Sequence, residues 1–345
     1  MLDLHRLRLL KEFAGRGTIA ATAAALGYTP SAVSQQLAAL EREAGVILLD
    51  RTARSAELTD AGVRLAAHAE RILAQVEEAE ADLSAQEREP TGRVSVAAFP
   101  TAAAAFAPAL ARSLRAHPRL TLLLRQTQKD EGLSSVRWGE VEVALVDDWT
   151  GHLASTGAGV LQFYPLVRDP LVLVVPRGHP LADPAQPVDL RRLSETSRWM
   201  AAPAGEPSRV AVDRLLAAAG GAPAMPWEFE GLGTILSLVS RGIGVAAVPR
   251  LALAAGEGRV VVRELPGSDA ARDVYAVART ASVRRPSVAV ILAALHDGAK
   301  HLSARSAQPR SRAPAALADP AQPGSHAPPA SPPSAGPIAG ITTSG

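Results

Sequence analysis

The sequence predicts a multidomain α/β chain with a helical head, and three observations carry that reading. Near the N terminus, Thr29 to Glu41 reads as a helix with two distinct faces, reached from a preceding helix through the turn Gly27-Tyr28-Thr29. Further on, Leu65, Ala69, Ile72, Val76, Ala79 and Leu83 recur at steps of 4-3-4-3-4, a sustained heptad seam. From Arg93 the pattern changes to alternating strands and helices and keeps that character to about residue 300.

Composition bounds what such a chain does. At 345 residues it suits two or three domains. The hydrophobic fraction is 47% with only 3% aromatics, so its cores are aliphatic. The absence of cysteine removes disulfides, thiolate chemistry and Cys-ligated zinc. The opening Met-Leu-Asp-Leu-His-Arg has no basic region followed by an apolar run, and no run approaches the roughly 18 residues of a membrane span. The expectation is a soluble cytoplasmic protein with no membrane partner. Net charge is small, with 36 Lys and Arg against 34 Asp and Glu. Residues 1–58 hold 7 basic and 6 acidic side chains, so bulk charge does not advertise a nucleic-acid surface.

Taken in order, Leu4, Leu7, Leu10 and Phe13 share one helical face, and Gly15 to Gly17 end that helix. Thr18 is placed to cap a second helix over 19–26, whose alanines allow close approach. Thr29 caps the third, with Pro30 at its first position, where a missing N–H costs nothing. Two short helices joined by a tight Gly-containing turn are a helix-turn-helix signature. In the third helix Val33, Leu37 and Leu40 form the apolar stripe, while Ser31, Ser34, Gln35 and Ala38 form a face of short side chains. A strand over 46–49, a polar tip at 50–55 and a return through Glu57-Leu58-Thr59 make a wing.

The heptad seam then runs along a helix predicted over 61–88, roughly 40 Å long at 1.5 Å per residue. Across 59–89 it carries 3 basic and 8 acidic residues, so only the narrow seam wants burial, against a second helix or against its own domain. Beyond Pro90-Thr91-Gly92, strands are expected over 94–99, 120–126, 141–146, 171–175, 199–201, 245–248, 260–265 and 274–278. Helices are expected over 102–116, 131–138, 208–219 and 234–241, and residues 287 to about 300 close the folded region. The tail from Ser303 has nine prolines in 43 residues and no aromatics, a composition expected to stay disordered.

These residues together resemble the LysR-type transcriptional regulators. The match runs through Phe13, Gly17-Thr18, Ala23-Ala24, Leu26, Pro30-Ser31-Ala32-Val33-Ser34-Gln35-Gln36-Leu37, Leu40-Glu41, Gly45, Leu48-Leu49-Asp50-Arg51-Thr52 and Leu58-Thr59-Asp60-Ala61-Gly62. It continues more thinly through Trp138-Gly139-Glu140-Val141, Pro165-Leu166-Val167, Leu171-Val172-Leu173-Val174-Val175-Pro176, His179-Pro180-Leu181-Ala182 and the segment from Leu238 to Pro249. Two departures stand out: the family often has a basic residue near Ala38 or Ala39, and often Phe at Leu49.

The resemblance implies a winged helix-turn-helix over 1–58, a dimerising linker helix over 59–89, and an effector domain over 93–302. That domain resembles periplasmic binding proteins, with one half from about 93–164 plus 267–302 and the other from 165–266. It also implies promoter DNA as partner, a homodimer or homotetramer joined through linker and effector domain, and an unidentified small-molecule effector. No cofactor, metal or catalytic residue is called for. The rival reading, a solute-binding module without a transcriptional role, fits 93–302 alone.

For DNA the expected residues are Thr18, Thr29, Pro30, Ser31, Ser34, Gln35, Arg51 and Arg54. Gln reads adenine through two hydrogen bonds, Ser donates to base or phosphate, and helix amides at Thr18 and Thr29 favour phosphate. Arg51 reaches a phosphate or the minor groove, or else pairs with Asp50 or Glu57. For the effector, Thr101 and Ala102 match where the family often binds small anions. Ala202, Pro203, Gly233 and Thr234 are expected to face them, unless Thr101 and Thr234 are ordinary caps. Trp138, Trp149 and Trp199 line a pocket or pack in the core.

Overall fold

The computed structural model describes all residues except 53–54, 85–88, 128–130, 154–159, 222–224, 256–259, 266 and 308–345. Arg54 and the tail from 308 onward therefore lie outside the described residues. The first five residues of that Pro-rich segment belong to a helix instead, because the last helix continues to Ala307.

The head is built as its caps require. Helices α1 (Leu4–Arg16), α2 (Ile19–Leu26) and α3 (Pro30–Ala44) begin with Asp3, Thr18 and Thr29, whose side chains accept from Arg6, Ala21 and Ala32 amides. Gly27 turns α2 into α3 with φ of 70°, a left-handed conformation that a side chain rarely adopts. Strands β1 (Leu49–Arg51) and β2 (Ala56–Leu58) form the wing as an antiparallel pair. The strand starts three residues later than the apolar run suggested. Residues 46 and 47 are exposed, and the Leu48 and Leu49 amides go to the Glu41 carboxylate, both at 3.0 Å. Leu7, Leu10, Phe13, Val33, Leu37, Leu40 and Leu48 close the core, together with Ala66 and Ala69 of α4 (Asp60–Ser84).

The seam on α4 is divided. Leu65 and Ala69 pack into the head, whereas Ile72 and Leu83 are exposed, Leu83 by 72%.

Beyond α4 come β3 (Gly92–Ala98), α5 (Pro100–Ala116), β4 (Leu120–Gln126), α6 (Glu131–Trp138), β5 (Val143–Asp148) and β6 (Leu161–Pro176). They are followed by α7 (Leu190–Thr196), β7 (Met200–Ala201), α8 (Pro207–Ala218), β8 (Trp227–Glu228) and α9 (Leu232–Ser240). Strands β9 (Ala246–Pro249), β10 (Val260–Arg263) and β11 (Ala271–Arg279) and helix α10 (Pro286–Ala307) complete the chain. Helix α7 and strand β8, only two turns and two residues long, lacked a clear periodic signal, whereas β7 falls within the strand expected over 199–201, with Trp199 making an isolated bridge to Val245.

One sheet runs in the order β10-β6-β11-β5-β3-β4, with β9 also on β6. Strand β6 is the member that both halves share. Its residues up to Pro170 pair with β11, and from Leu171 they pair with β9 and β10. The change of partner thus falls inside a single strand, after Pro170, not at residue 165. The continuous run Leu171 to Val175 follows from burial on both faces. Leu171, Leu173 and Val175 meet Trp199, Leu215 and Leu216, while Val172 and Val174 meet Ile235 and Val239.

In the first half, α5 and α10 cover one face of the sheet. Phe106 is fully buried there among Val94, Val96, Leu145, Ile291 and Leu295. Among the described residues no helix is long and apolar enough to cross a membrane. Truncating Phe106 to Ala removes the largest apolar group from this layer. A loss of about 3–5 kcal/mol is expected, read as a lowered urea midpoint.

Candidate DNA-binding face and interdomain cleft

The outer face of α3 is short, polar and open. Pro30, Ser31 and Gln35 are exposed, Ser34 is half-buried, and Val33, Leu37 and Leu40 point inward with at most 1% exposure. Thr29 and Thr18, both exposed, spend one oxygen lone pair each on the caps of α3 and α2, at 3.2 and 3.1 Å. Tyr28, which sequence reasoning passed over as a turn residue, stands 46% exposed beside them with its ring edge-on to His5.

Arg51 departs from both of its expected intramolecular partners. It folds back from the wing onto α3, where Nη1 donates to Ser34 Oγ at 2.9 Å and Nη2 lies 3.6 Å from Glu41 Oε2. Glu41 therefore organises the wing twice, through the Leu48 and Leu49 amides and through this cation. Ser34 and Arg51 are the two expected DNA residues that a hydrogen bond joins.

Beside the point where β6 changes partners, the organising residue is Arg272, at the start of β11. It is 4% exposed and every side of its guanidinium is engaged. Nε donates to Asp169 Oδ2, Nη1 to Asp147 Oδ2 and Nη2 to Thr101 Oγ1, at 2.9, 2.9 and 2.8 Å. Its faces lie 4.7 Å from the Phe99 ring centroid and 5.6 Å from that of Trp149. Asp169, on β6, is 1% exposed and also accepts from the Leu251 amide at 2.9 Å. Burial pushes its carboxyl above the usual range, and Arg272 and that amide pull it back. Burial acts the same way on Asp148, yet the amides of Leu153, Thr150 and Gly151 outweigh it and hold the carboxyl below its ordinary value.

Thr101 is thus bonded to a cation from its own chain. Ala102 is fully buried in the core of the first half, which leaves only its backbone to face a ligand. On the second half, Ala202 is buried and its carbonyl accepts from Arg209 at 3.1 Å, and Pro203 is half-buried. Gly233 and Thr234 are exposed in the first turn of α9, where the Thr234 amide donates to Gly231 O at 3.0 Å.

The three tryptophans part company. Trp199 is a core residue at 0% exposure, donating to Leu193 O at 3.2 Å. Trp149 donates to Asp147 at 3.0 Å beside Arg272 and borders an open cavity of about 500 Å³ walled by Leu190, Ala211, Leu215 and residues 267–271. None of the six expected effector residues lines that cavity. Trp138, at the end of α6, meets α1 of the head, beneath the Lys11 ammonium. Arg272 was missed because its strand was read as starting at Val274. A charged Ala-Arg-Asp triplet leading into an apolar strand was the available signal.

Known proteins give the same assignment. Residues 4–63 match the family model for bacterial regulatory helix-turn-helix proteins of the lysR family, and residues 87–300 match the LysR substrate binding domain. An uncharacterized HTH-type transcriptional regulator of Mycobacterium tuberculosis is 30% identical over 89% of this chain and 98% of its own. A probable hydrogen peroxide-inducible genes activator of Streptomyces viridosporus is 28% identical over 88% and 96%. Among solved structures, full-length OxyR of Pseudomonas aeruginosa shares the fold with a TM-score of 0.62 at 20% identity, covering 86% of this chain and 98% of that one. OxyR of Corynebacterium glutamicum does so with 0.53 at 24%, covering 89% and 96%. With both of its domains matched, the chain belongs to the LysR family of transcriptional regulators.

Proposed function

We propose that this protein binds promoter DNA in the cytoplasm as a homodimer or homotetramer and answers to a small molecule held between the two halves of its effector domain. The division of labour is a head over 1–58, a linker over 59–89 and an effector domain from 93 to the end of α10 at Ala307, beyond which the Pro-rich tail follows in the sequence. The observation that carries the DNA reading is the capped, outward face of α3, with a wing arginine laid along it. Gln35 and Ser31 on that face have donor and acceptor groups free for base edges. Ser34 and Arg51, joined to each other, border them. Thr18 and Thr29 stand at helix N-termini, where amides favour phosphate, and Arg54 follows Arg51 along the chain.

In the cleft, Thr101 and the backbone at Ala102 face Arg272, and Ala202, Pro203, Gly233 and Thr234 form the opposing wall. A catalytic role finds no support, since the relatives are described as regulators.

The test is a mobility shift with the DNA upstream of the protein's own gene and of neighbouring genes, across a salt series. Binding that weakens steeply as salt rises is expected, because phosphate contacts release counterions. No binding to any of these fragments overturns the reading.

Two narrower outcomes follow from the same face and from α4. Gln35→Ala is expected to relax base preference at one position per half-site, by about 1–3 kcal/mol in competition binding. A uniform loss across all sequences places Gln35 on the backbone instead. Ile72→Asp puts a charge on the exposed part of the heptad seam, and light scattering is expected to report a lower mass than for the parent protein. An unchanged mass removes the seam from the interface.

A further inference from the structure

The contacts between the head and its own effector domain are mainly charges and one ring. Among the described residues, each apolar cluster belongs to the head or to the effector domain, and none spans the two. What joins them centres on Arg279, the last residue of β11. Its Nε and Nη2 donate to the two oxygens of Glu77 on α4, at 2.9 and 2.7 Å. Its Nη1 donates to the carbonyls of Val136 and Val141, at 2.5 and 3.1 Å, which bracket the loop from α6 to β5.

The tip of that loop is then clasped by α1. Gly15 has no side chain, and a Cβ there would enter the Trp138 ring. Lys11, 9% exposed, donates to Arg137 O at 3.2 Å with its ammonium over that ring, and Arg16 pairs with Glu140. Arg284 adds an ion pair to Asp82 of α4 at 3.2 Å.

Strand β11 begins with the cleft cluster at Arg272 and ends with this clamp at Arg279, about 23 Å apart along an extended strand. Strand β5 accompanies it over most of that distance, pairing Asp148 with Asp273 and Val143 with Ala278. The two strands are thus gripped by a buried arginine at each end. At one end Arg272 holds Asp147 of β5, and at the other Arg279 holds Val141 just before β5. Buried ion pairs add little net stability but are costly to leave half-broken. Polar junctions between domains, moreover, are the ones that move.

We propose that Arg279 is a positioning residue that seats the DNA-binding head on its own effector domain, and that β5 and β11 couple this seat to Arg272. A molecule that redirects Arg272 in the cleft then alters how firmly the head is held. This rests on the cleft being the effector site, but the seat itself can be measured without DNA or effector.

The experiment is hydrogen–deuterium exchange on the full chain, followed in segments 8–16 and 136–141. Glu77→Gln is expected to speed exchange in both, while the cores of α3 and β3 stay protected, and Glu77→Asp to restore part of the protection. Arg272→Lys, or Asp147→Asn should that variant fail to fold, is expected to speed exchange in segment 8–16 as well, with the double variant departing from additivity by about fivefold or more. Unchanged exchange in 8–16 with Glu77→Gln overturns the clamp. A response to Glu77→Gln with none to Arg272→Lys or Asp147→Asn, or strict additivity, overturns the coupling. Failure to bind DNA would leave these exchange rates as they are and would count against the functional reading alone.

Discussion

The ion pair between Asp169 and Arg272 is the constraint on which the effector domain depends. Asp169 sits in β6 one residue before Pro170, after which that strand leaves β11 for β9 and β10. A carboxylate at 1% exposure cannot stand alone in such a place. It is answered from the first half by Arg272 and from the segment after β9 by the Leu251 amide. One buried charge therefore registers both halves at their crossing, and Phe99, Thr101, Asp147 and Trp149 are arranged around its partner.

The head was far more legible in the sequence than this cluster. Its caps, its apolar spacing and its turn are local signals, each readable within five residues, and Thr18, Thr29 and Gly27 stand where the spacing put them. The effector domain's decisive contacts join residues remote in sequence. Arg272 reaches Thr101 across 171 positions, and Arg279 reaches Glu77 across 202. No periodicity encodes such pairs. The same limit explains Arg51: its near neighbours Asp50 and Glu57 were the obvious partners, but strand geometry brings Ser34 and Glu41 closer. It also explains β6: its partly buried first portion, up to Pro170, carries no clear pattern, so only the doubly buried run from Leu171 to Val175 reads as a strand although the backbone is continuous.

Helix α4 shows how one amphipathic pattern divides its labour along its length. Its first turns complete the head core through Ala66 and Ala69. Its later turns leave Ile72 and Leu83 outward and direct Glu77, Glu78 and Asp82 to Arg279 and Arg284. The excess of acidic residues over 59–89 is thereby accounted for in part: three of them are counter-ions for the basic end of β11 and the segment after it.

The contact between Arg51 and Ser34 carries a chemical consequence for the recognition helix. A serine hydroxyl has one proton and two lone pairs. Because Arg51 donates to Ser34 Oγ, one lone pair is already taken, and the proton is left to point elsewhere. The wing thus biases Ser34 toward donating. On a groove floor, a donor is matched by N7 and O6 of guanine, N7 of adenine or O4 of thymine, and mismatched by the amino group of cytosine. On the proposed DNA-binding reading, Arg51 would in this way help choose the base to which Ser34 donates.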